Sequence, residues 1–378
     1  MRLANTRAPT LRWVTRLIVA AGGGGDAVAA AVVDAALYGG SGSPAVILTY
    51  AWDRLLVDPV PGPRGPGDLT GLTPLTRSVW AVPPTARPIA PAGSTLPRLA
   101  SELPHTFALI DPQHGAEGIA HQITSLVHHL NPESIDLLDV GGDILAKGDE
   151  PTLRSPLADA LTLSACSQLK AHVRLLVAGP GLDGEIPAED LTARMGPPVL
   201  TFTSNHIAPI SSVLEWHPSE ATGMLAAAAR GVRGLCEVRD AGLAVPLTDQ
   251  SATLHEAPLH QALHRNKLAR ALLTTRTLAQ AEQYSREICG YSEIDYERIK
   301  ASRLATQPAR KLDPTRTLHR LAEFETAARR RGITHTTFRR ITEALGFGGE
   351  HRQPLRELLI NRRPLQYEAP LWRISRDA

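Results

Sequence analysis

Short apolar runs alternate with longer helix-like segments through the first two thirds of the chain. Residues 16–21 are apolar and β-branched, which predicts a strand, and the alanine-rich residues 26–38 predict a helix. Further strands are predicted at residues 45–50, 106–110, 135–140, 173–178 and 199–203, and further helices at residues 116–130, 156–169 and 219–230. This alternation predicts an α/β fold with a Rossmann-like, doubly wound and mainly parallel sheet.

Two regions depart from this alternation. Prolines and glycines crowd together in residues 58–96, which predicts an irregular excursion over the surface, with a lid as one interpretation. From about residue 255 the strand signals end. Amphipathic helices are predicted there instead, at residues 259–273, 278–288, 315–331 and 336–345.

The length of 378 residues exceeds what one hydrophobic core usually supports, so two domains are expected. We predict a flexible polar arm at residues 1–13, a small-molecule-binding domain at residues 14–254, and a mostly helical region at residues 255–378. The net charge of +2 conceals an acidic first part and a basic last part. Opposite charges of this kind suit two parts that dock onto each other.

Several classes of protein are disfavoured by composition. Cys166, Cys236 and Cys289 are odd in number and widely spaced, so neither a disulfide scaffold nor a zinc site is predicted. The first apolar run is interrupted at Gly22, before it reaches the length of a signal peptide. No segment approaches the roughly 20 apolar residues that span a bilayer. We predict a cytoplasmic protein that binds no membrane.

Glycines and carboxylates follow the predicted strands at four places. The first group is Gly22-Gly23-Gly24-Gly25-Asp26. The other three groups are Asp111-Pro112-Gln113-His114-Gly115, Asp139-Val140-Gly141-Gly142-Asp143 and Gly179-Pro180-Gly181-Leu182-Asp183-Gly184-Glu185. In an open parallel sheet, ligands bind outside the carboxyl ends of the strands. These loops therefore predict one small-molecule site.

The glycines of these loops are candidates for binding a ligand or cofactor through the backbone. Without a Cβ atom they let N–H groups approach a ligand closely, and the first group also opens a helix. The residues predicted for this role are Gly22, Gly23, Gly24, Gly25, Gly141 and Gly142. The spacing departs from the G-x-G-x-x-G dinucleotide fingerprint, and no Gly-Lys-Ser/Thr closes a P-loop. Asp53 lies roughly where such a fold would bind ribose, so a nicotinamide-dependent enzyme stays open.

The carboxylates are the candidates for catalysis. Acidic groups that share one rim raise each other's pKa, which suits a general acid or base near neutral pH. Asp26, Asp143, Asp183 and Glu185 are predicted for this role, with a helix N-cap as the alternative for Asp26. Such a rim repels a bare phosphate. It favours ribose-like hydroxyl donors, or a phosphate bridged by Mg²⁺ bound to Asp139 and Asp143.

Histidines and arginines supply weaker candidates. His114 and His206 follow predicted strands and are candidates for proton transfer, although a lone histidine is more often structural. The predicted helices near the end of the chain carry arginine pairs and triplets. Glutamates interleave with these arginines, which argues against nucleic-acid binding. The expected partner is a small molecule, and self-association into a homo-oligomer stays open.

Four segments together carry a family resemblance. They are residues 21–26, Asp139-Val140-Gly141-Gly142-Asp143, Ser155-Pro156-Leu157-Ala158-Asp159 and Gly181-Leu182-Asp183-Gly184-Glu185, in this order. Through them the chain resembles domain-of-unknown-function family 1152 of bacterial and archaeal proteins, over roughly residues 14–345. The resemblance implies a shared Rossmann-like fold and a shared site built from these loops, and it implies no particular activity.

The sequence therefore predicts a metabolic enzyme of a specialised pathway that acts on a nucleoside-, nucleotide- or sugar-derived small molecule at an acidic site. Two alternatives stay open at this point. The same loops suit a regulatory protein that senses a metabolite without converting it. A nicotinamide-dependent oxidoreductase is the other alternative. Neither a serine hydrolase elbow nor a His-Glu-x-x-His zinc motif is present in the sequence.

Overall fold

The computed structural model describes residues 15–39, 43–306 and 310–374, so the arm predicted at residues 1–13 lies outside the described residues. The strands are β1 (Arg16–Ala20), β2 (Val46–Thr49), β3 (Leu69–Thr70), β4 (Thr73–Pro74), β5 (Trp80–Ala81), β6 (Arg87–Pro88), β7 (Thr106–Leu109), β8 (Ser134–Val140), β9 (Arg174–Ala178), β10 (Pro198–Thr201), β11 (Gly234–Val238), β12 (Leu243–Leu247), β13 (Thr253–Ala257), β14 (His335–Thr336), β15 (Tyr367–Glu368) and β16 (Leu371–Arg373).

Helices separate most of these strands. They are α1 (Gly24–Tyr38), α2 (Leu96–Glu102), α3 (Gly115–Leu130), α4 (Pro156–Ser167), α5 (Ala188–Thr192), α6 (Ser204–Ile207), α7 (Ser211–Leu214), α8 (Glu220–Ala229), α9 (Leu259–Arg265), α10 (Lys267–Leu272), α11 (Leu278–Cys289), α12 (Glu293–Ala305), α13 (Pro314–Arg330), α14 (Phe338–Ala344) and α15 (Arg352–Arg362). In the part of the chain that the structure describes, no helix is both long enough and apolar enough to cross a membrane.

A nine-stranded sheet forms the centre of the molecule. Its strand order is β10-β13-β9-β8-β1-β2-β7-β5-β4. The five strands from β9 to β7 run parallel to one another, while β13, β10 and β5 pair antiparallel. The prediction of an α/β fold with a mainly parallel sheet is therefore confirmed. Its predicted last strand, β10, does not extend the parallel part, because β13 lies between it and β9.

Helices cover both faces of this sheet. Along β1, Ile18 and Ala20 pack with α1 and α8 on one face, whereas Leu17 and Val19 pack with α3 and α4 on the other. Successive side chains of a strand point to opposite faces, so a strand covered on both sides must be apolar at every position. This explains why the strand signal at residues 16–21 is a continuous apolar run.

The sheet reverses its direction of growth between β1 and β8. From β1 the chain moves through α1 to β2 and then to β7, and from β8 it moves through α4 to β9 on the opposite side. The connections therefore leave the carboxyl ends of β1 and β8 in opposite directions. This arrangement opens a crevice at those ends, where open α/β sheets bind ligands.

The proline-rich residues 58–96, predicted as an excursion over the surface, contribute to the sheet and to the core. β5 pairs with β7, β4 pairs with β5, and β3 pairs with β6 in a separate small sheet. Val79, Val82 and Leu96 are buried. The sequence did not predict these strands, because two-residue strands are too short to show a periodic pattern.

The region after residue 255, predicted as mostly helical, also contains strands. β13 lies inside the central sheet, and the predicted domain boundary at residues 254 and 255 falls within this strand. β14, β15 and β16 join β11 and β12 in a second, five-stranded sheet. The helices α13, α14 and α15 pack beside this sheet around Trp372. Tertiary pairing stabilises these short strands, which have no local signal of their own.

Candidate functional site

The crevice between β1 and β8 is an acidic cleft. Its floor carries Asp26, Asp139, Asp143 and Asp159, and Asp183 closes one side. All of these side chains except Asp183 are at most 6 % exposed. The glycines Gly22 to Gly25 form the wall next to β1. Several of the predicted loops therefore meet in one place, as their positions after parallel strands require.

The loop after β1 holds Asp26 with backbone hydrogen bonds. The Gly22 N–H donates to Asp26 Oδ2 at 2.5 Å, and the Val140 N–H donates to Asp26 Oδ1 at 3.1 Å. Asp26 is the third residue of α1, whose N-cap is Gly23, so the N-cap alternative for Asp26 is wrong. A Cβ at Gly22 would lie 2.6 Å from Asp26 Oδ2. Glycine is therefore needed there for the carboxylate to approach.

Asp26, Asp139 and Asp159 form a compact acidic trio. Each contributes a carboxylate oxygen, and these atoms all lie within 4.8 Å of one another. The Ile144 N–H donates to Asp139 Oδ2 at 3.2 Å. Asp159, in the first turns of α4, has an Oδ1 atom with neither solvent contact nor a hydrogen-bond donor among the described residues. The trio therefore has the chemistry of a cation site.

Burial dominates the electrostatics of the floor. It raises the pKa of Asp26 to about 7, against the hydrogen bonds from Gly22 and Val140 that lower it. Burial, together with the other carboxylates of the floor, raises the pKa of Asp139, Asp143 and Asp159 well above the ordinary range. The floor therefore retains protons near neutral pH, which suits proton transfer to or from a ligand.

Asp143 and Asp183 face each other across the turn after β8. The Asp143 N–H donates to Asp183 Oδ2 at 3.2 Å, and burial, with Glu185 nearby, raises the pKa of Asp183 to about 7. Gly141 has a φ of +121°, and a Cβ on it would come within 2.2 Å of Asp183 Oδ2. Gly142, with a φ of +108°, completes this turn. Gly141 lets the Asp183 carboxylate approach, whereas a Cβ on Gly142 would meet Leu191 Cδ1 at 2.6 Å, and neither glycine lines the cleft.

Glu185 is a paired anion. Its Oε1 accepts from Arg239 Nη2 at 2.8 Å and from Ser155 Oγ at 2.6 Å, and the Arg154 N–H donates to Oε2 at 2.7 Å. Burial raises its pKa, but Arg239 and Ser155 outweigh burial and hold the pKa below its usual range. Glu185 thus anchors Arg239 at the cleft and is the least suited of the predicted carboxylates to donate a proton.

The structure places His114 and His206 away from the cleft. His114 is an exposed residue of the short 3₁₀ turn after β7. His206 lies in α6, where its Nδ1 accepts from the Thr203 N–H at 3.2 Å. Asp111 likewise caps a turn by accepting from the Gln113 N–H at 3.1 Å. β7 is separated from β1 by β2, and β10 lies at an edge of the sheet, so the loops after these two strands end away from the crevice between β1 and β8.

Residues 17–301 match the model of a family described as a protein of unknown function, DUF1152. The chain belongs to this family. No curated protein and no solved structure matches the chain. The DUF1152 match runs from β1 into α12, so it contains all the carboxylates of the floor and ends before β14.

His217 is a residue of the cleft that the sequence analysis did not select, although it lies within the DUF1152 match. The Ser219 N–H donates to its Nδ1 at 3.2 Å, so in the neutral ring the proton sits on Nε2. Burial lowers its pKa to about 3, which keeps the ring neutral. Its Nε2 is closed to solvent and has no partner in the described ranges. His217 therefore offers a fixed N–H donor.

Other cleft residues come from distant parts of the DUF1152 chain. Asp53 and Arg54 follow β2, Glu293 and Glu297 lie on α12, and Arg339 on α14 lies beyond the match. The sequence pointed to Asp53 through its distance from the glycines, but no local pattern marks the others, because they come from three separate parts of the chain. Asp159 is different: the segment Ser155–Asp159 was among the four that carried the family resemblance, which is the one signal that pointed to it.

Proposed function

We propose that this DUF1152 protein is an enzyme that acts on a nucleoside-, nucleotide- or sugar-derived metabolite bound in the acidic cleft. The observation that carries the proposal is that one crevice holds the buried Asp26 and the half-buried Asp183, two carboxyl groups whose pKa values are about 7, together with the fixed N–H donor of His217. Groups that titrate near neutral pH are suited to general acid and base catalysis.

The topology supports this proposal. In order along the chain, the parallel strands are β1, β2, β7, β8 and β9, and their arrangement in the sheet corresponds to the order 3-2-1-4-5 of Rossmann-like folds. We therefore propose the Rossmann-like assignment as well. In such sheets a metabolite lies across the carboxyl ends of the two central strands. The cleft above β1 and β8 is the corresponding place in this protein.

The polar atoms around Gly24 suit a hydroxyl group. A Cβ on Gly24 would lie 3.1 Å from Thr95 Oγ1, 3.2 Å from Asp53 Oδ1 and 3.4 Å from His217 Nε2, so these atoms face the same space. A hydroxyl can accept from the His217 N–H and donate to the Asp53 carboxylate at once. Nucleosides and sugars carry many such groups. The donor and the acceptor beside Gly24 therefore favour nucleosides and sugars over purely anionic ligands.

The two alternatives are separable from this proposal. Asp53, the candidate ribose ligand of a nicotinamide-dependent enzyme, already accepts from the Thr95 N–H at 3.0 Å and Thr95 Oγ1 at 2.7 Å. These bonds leave each Asp53 oxygen able to accept from a further hydroxyl, so the weak binding of NADH that we predict follows from the irregular glycine spacing alone. A sensor would use the same cleft without turnover. The sensor therefore predicts a bound ligand without a product, and the oxidoreductase predicts tight binding of NADH.

A thermal-shift screen of nucleosides, nucleotides and sugar phosphates, with and without Mg²⁺, tests the proposal. A true ligand at 100 times its dissociation constant stabilises the folded protein by about 2.7 kcal/mol. We expect at least one member of these classes to stabilise the protein and to be converted on incubation, as measured by mass spectrometry. A stabilising ligand that stays unconverted favours the sensor, micromolar NADH binding favours the oxidoreductase, and no stabilisation by any class contradicts the proposal.

Substitution of Gly24 tests the placement of the ligand. Gly24→Ala adds one methyl group 3.1 Å from Thr95 Oγ1 and 3.2 Å from Asp53 Oδ1, so these side chains must shift slightly, and the higher helix propensity of alanine offsets part of that cost. We expect the stability of the free protein to change by less than about 1 kcal/mol, while the ligand-induced thermal shift is lost.

The matched control is Gly223→Ala in α8, whose added methyl meets only Pro370 Cγ, at 3.6 Å. This variant should retain the full ligand-induced shift. If Gly24→Ala retains it as well, the ligand does not contact the start of α1 and the assigned binding position is incorrect.

A further inference from the structure

We propose that Asp26, Asp139 and Asp159 bind a hard divalent cation, of the Mg²⁺, Mn²⁺ or Ca²⁺ type, at the floor of the cleft. The inference goes beyond the proposed function, because binding of a metal requires neither a metabolite nor turnover. The sequence favoured Asp139 and Asp143 as the metal ligands. The structure keeps Asp139, adds Asp26 and Asp159, and leaves Asp143 out.

The spacing of the three carboxylates fits one ion. Two oxygen ligands of a single ion lie at most about 4–5 Å apart, which is twice a metal–oxygen distance of about 2.1–2.5 Å. The three ligand oxygens lie within 4.8 Å of one another, so a Ca²⁺-sized ion fits the spacing as it stands, and a Mg²⁺-sized ion needs a small inward movement of the side chains. Oxygen-only ligands select hard cations over zinc or copper.

The unpartnered oxygen of Asp159 is the second observation. Asp159 is 5 % exposed, and its Oδ1 has no donor within the described parts of the chain. A buried carboxylate without a partner is strongly unfavourable, by several kcal/mol. Because Gly22, one residue from β1, has no side chain, the Asp159 oxygens also approach the Asp26 side of the cleft. A cation at this point supplies the partner that Asp159 lacks.

The other two ligands are held in place by the backbone. Asp26 accepts from the N–H groups of Gly22 and Val140, and Asp139 accepts from that of Ile144. Each bonded oxygen keeps a second lone pair that can bind a metal. Outer hydrogen bonds of this kind orient the ligands of protein metal sites. The trio therefore combines two fixed carboxylates with one that still has a free oxygen.

The pattern of ion pairs also favours a cation bound by the trio. Glu185, which follows Asp183 in the same loop, forms an ion pair with Arg239, with 2.8 Å between Arg239 Nη2 and Glu185 Oε1. No ion pair with Asp26, Asp139 or Asp159 occurs within residues 15–39, 43–306 and 310–374. Arg54, which also lines the cleft, is the basic residue whose charge lowers the pKa of Asp26. Three buried acidic groups without a basic partner need either protons or a metal.

Protons and the metal compete for this site. The groups that face the trio are mostly acidic, namely Asp143, Asp183, Glu185 and Glu293, with Arg54 opposing them. Because the metal binds the ionised carboxylates, it must displace the protons that burial retains there.

Titration of the full-length protein with Mn²⁺, followed by electron paramagnetic resonance at pH 7.5, tests the site. We expect one saturable site, with Mn²⁺ displaced by Mg²⁺ or Ca²⁺. Asp159→Asn should weaken Mn²⁺ binding by at least about tenfold, the lower end of the loss typical for altered metal sites. Asp143→Asn is the matched control, because Asp143 is an equally buried carboxylate of the same floor. It should weaken binding by no more than about threefold, because Asp143 contributes no ligand oxygen to the trio.

Folding of both variants is checked by their melting temperatures, and Asp139→Asn provides a second ligand variant if Asp159→Asn does not fold. No saturable binding of any of the three ions at millimolar concentration overturns the inference, and so does an equal loss in Asp143→Asn and Asp159→Asn. Metabolite binding that persists in EDTA leaves the proposed function intact without a metal. Mn²⁺ binding without any metabolite from the screen leaves the metal site intact without that function.

Discussion

Replacement of Arg239 by methionine is expected to lower the free energy of unfolding by about 3–5 kcal/mol, the usual cost of removing one partner of a buried ion pair. Arg239 donates to Glu185 Oε1 at 2.8 Å and to the Asp183 carbonyl at 2.6 Å, and the Glu185 side chain has no solvent exposure. Methionine keeps most of the side-chain volume and leaves Glu185 buried with an unpaired charge. Denaturant unfolding at pH 7.5 measures the change.

Two controls show whether the unpaired charge causes this loss. Adding Glu185→Gln to the Arg239→Met background removes the charge and should restore part of the stability. Arg276→Met breaks an exposed pair with Glu117 and should cost less than about 1 kcal/mol. A loss below 1 kcal/mol in Arg239→Met would mean that solvent reaches Glu185, and that the pair does not support the wall of the cleft.

Asp143→Asn is expected to stabilise the metal-free protein at pH 8 by about 1 kcal/mol or more, because each pKa unit that separates the folded from the unfolded state is worth about 1.4 kcal/mol. Burial, with Asp159 and Asp139 nearby, raises the pKa of Asp143 in the folded protein. In the unfolded chain the carboxyl loses its proton near pH 4. The folded form retains that proton to higher pH, so its stability declines as the pH rises above 4.

The same argument applies to Asp26 and Asp183, whose pKa values in the folded protein are about 7. These two groups therefore lower the free energy of unfolding only between about pH 4 and pH 7. Wild-type protein in EDTA should therefore be less stable at pH 8 than at pH 5. The gain from Asp143→Asn should vanish near pH 4, where both forms are uncharged. Asp249→Asn, at a side chain that is 98 % exposed, should show no such pH dependence. A pH-independent effect of Asp143→Asn would indicate a role in packing alone.

The sequence by itself determined the elements that carry the glycine and carboxylate loops. The apolar run at residues 16–21 and the alanine-rich segment after it correspond to β1 and α1. Because the parallel strands end at one edge of the sheet, Asp26, Asp139, Asp143 and Asp183 could be expected to share a site. That expectation needs only the local periodicity of the strands and the rule that parallel strands have their carboxyl ends at the same edge of the sheet. The cleft brings these four carboxylates together.

Only the tertiary structure decided which atoms meet within that cleft. Asp159 joins Asp26 and Asp139 because α4 packs against β8. His217 and Arg239 line the same cleft, although they lie far from β1 and β8 in the sequence. The insertion of β13 between β9 and β10 is likewise a long-range pairing. Local periodicity specifies which residues form an element and which face is apolar. Local periodicity does not specify which other element an element pairs with, because pairing between residues far apart in the sequence depends on the packing of the whole chain.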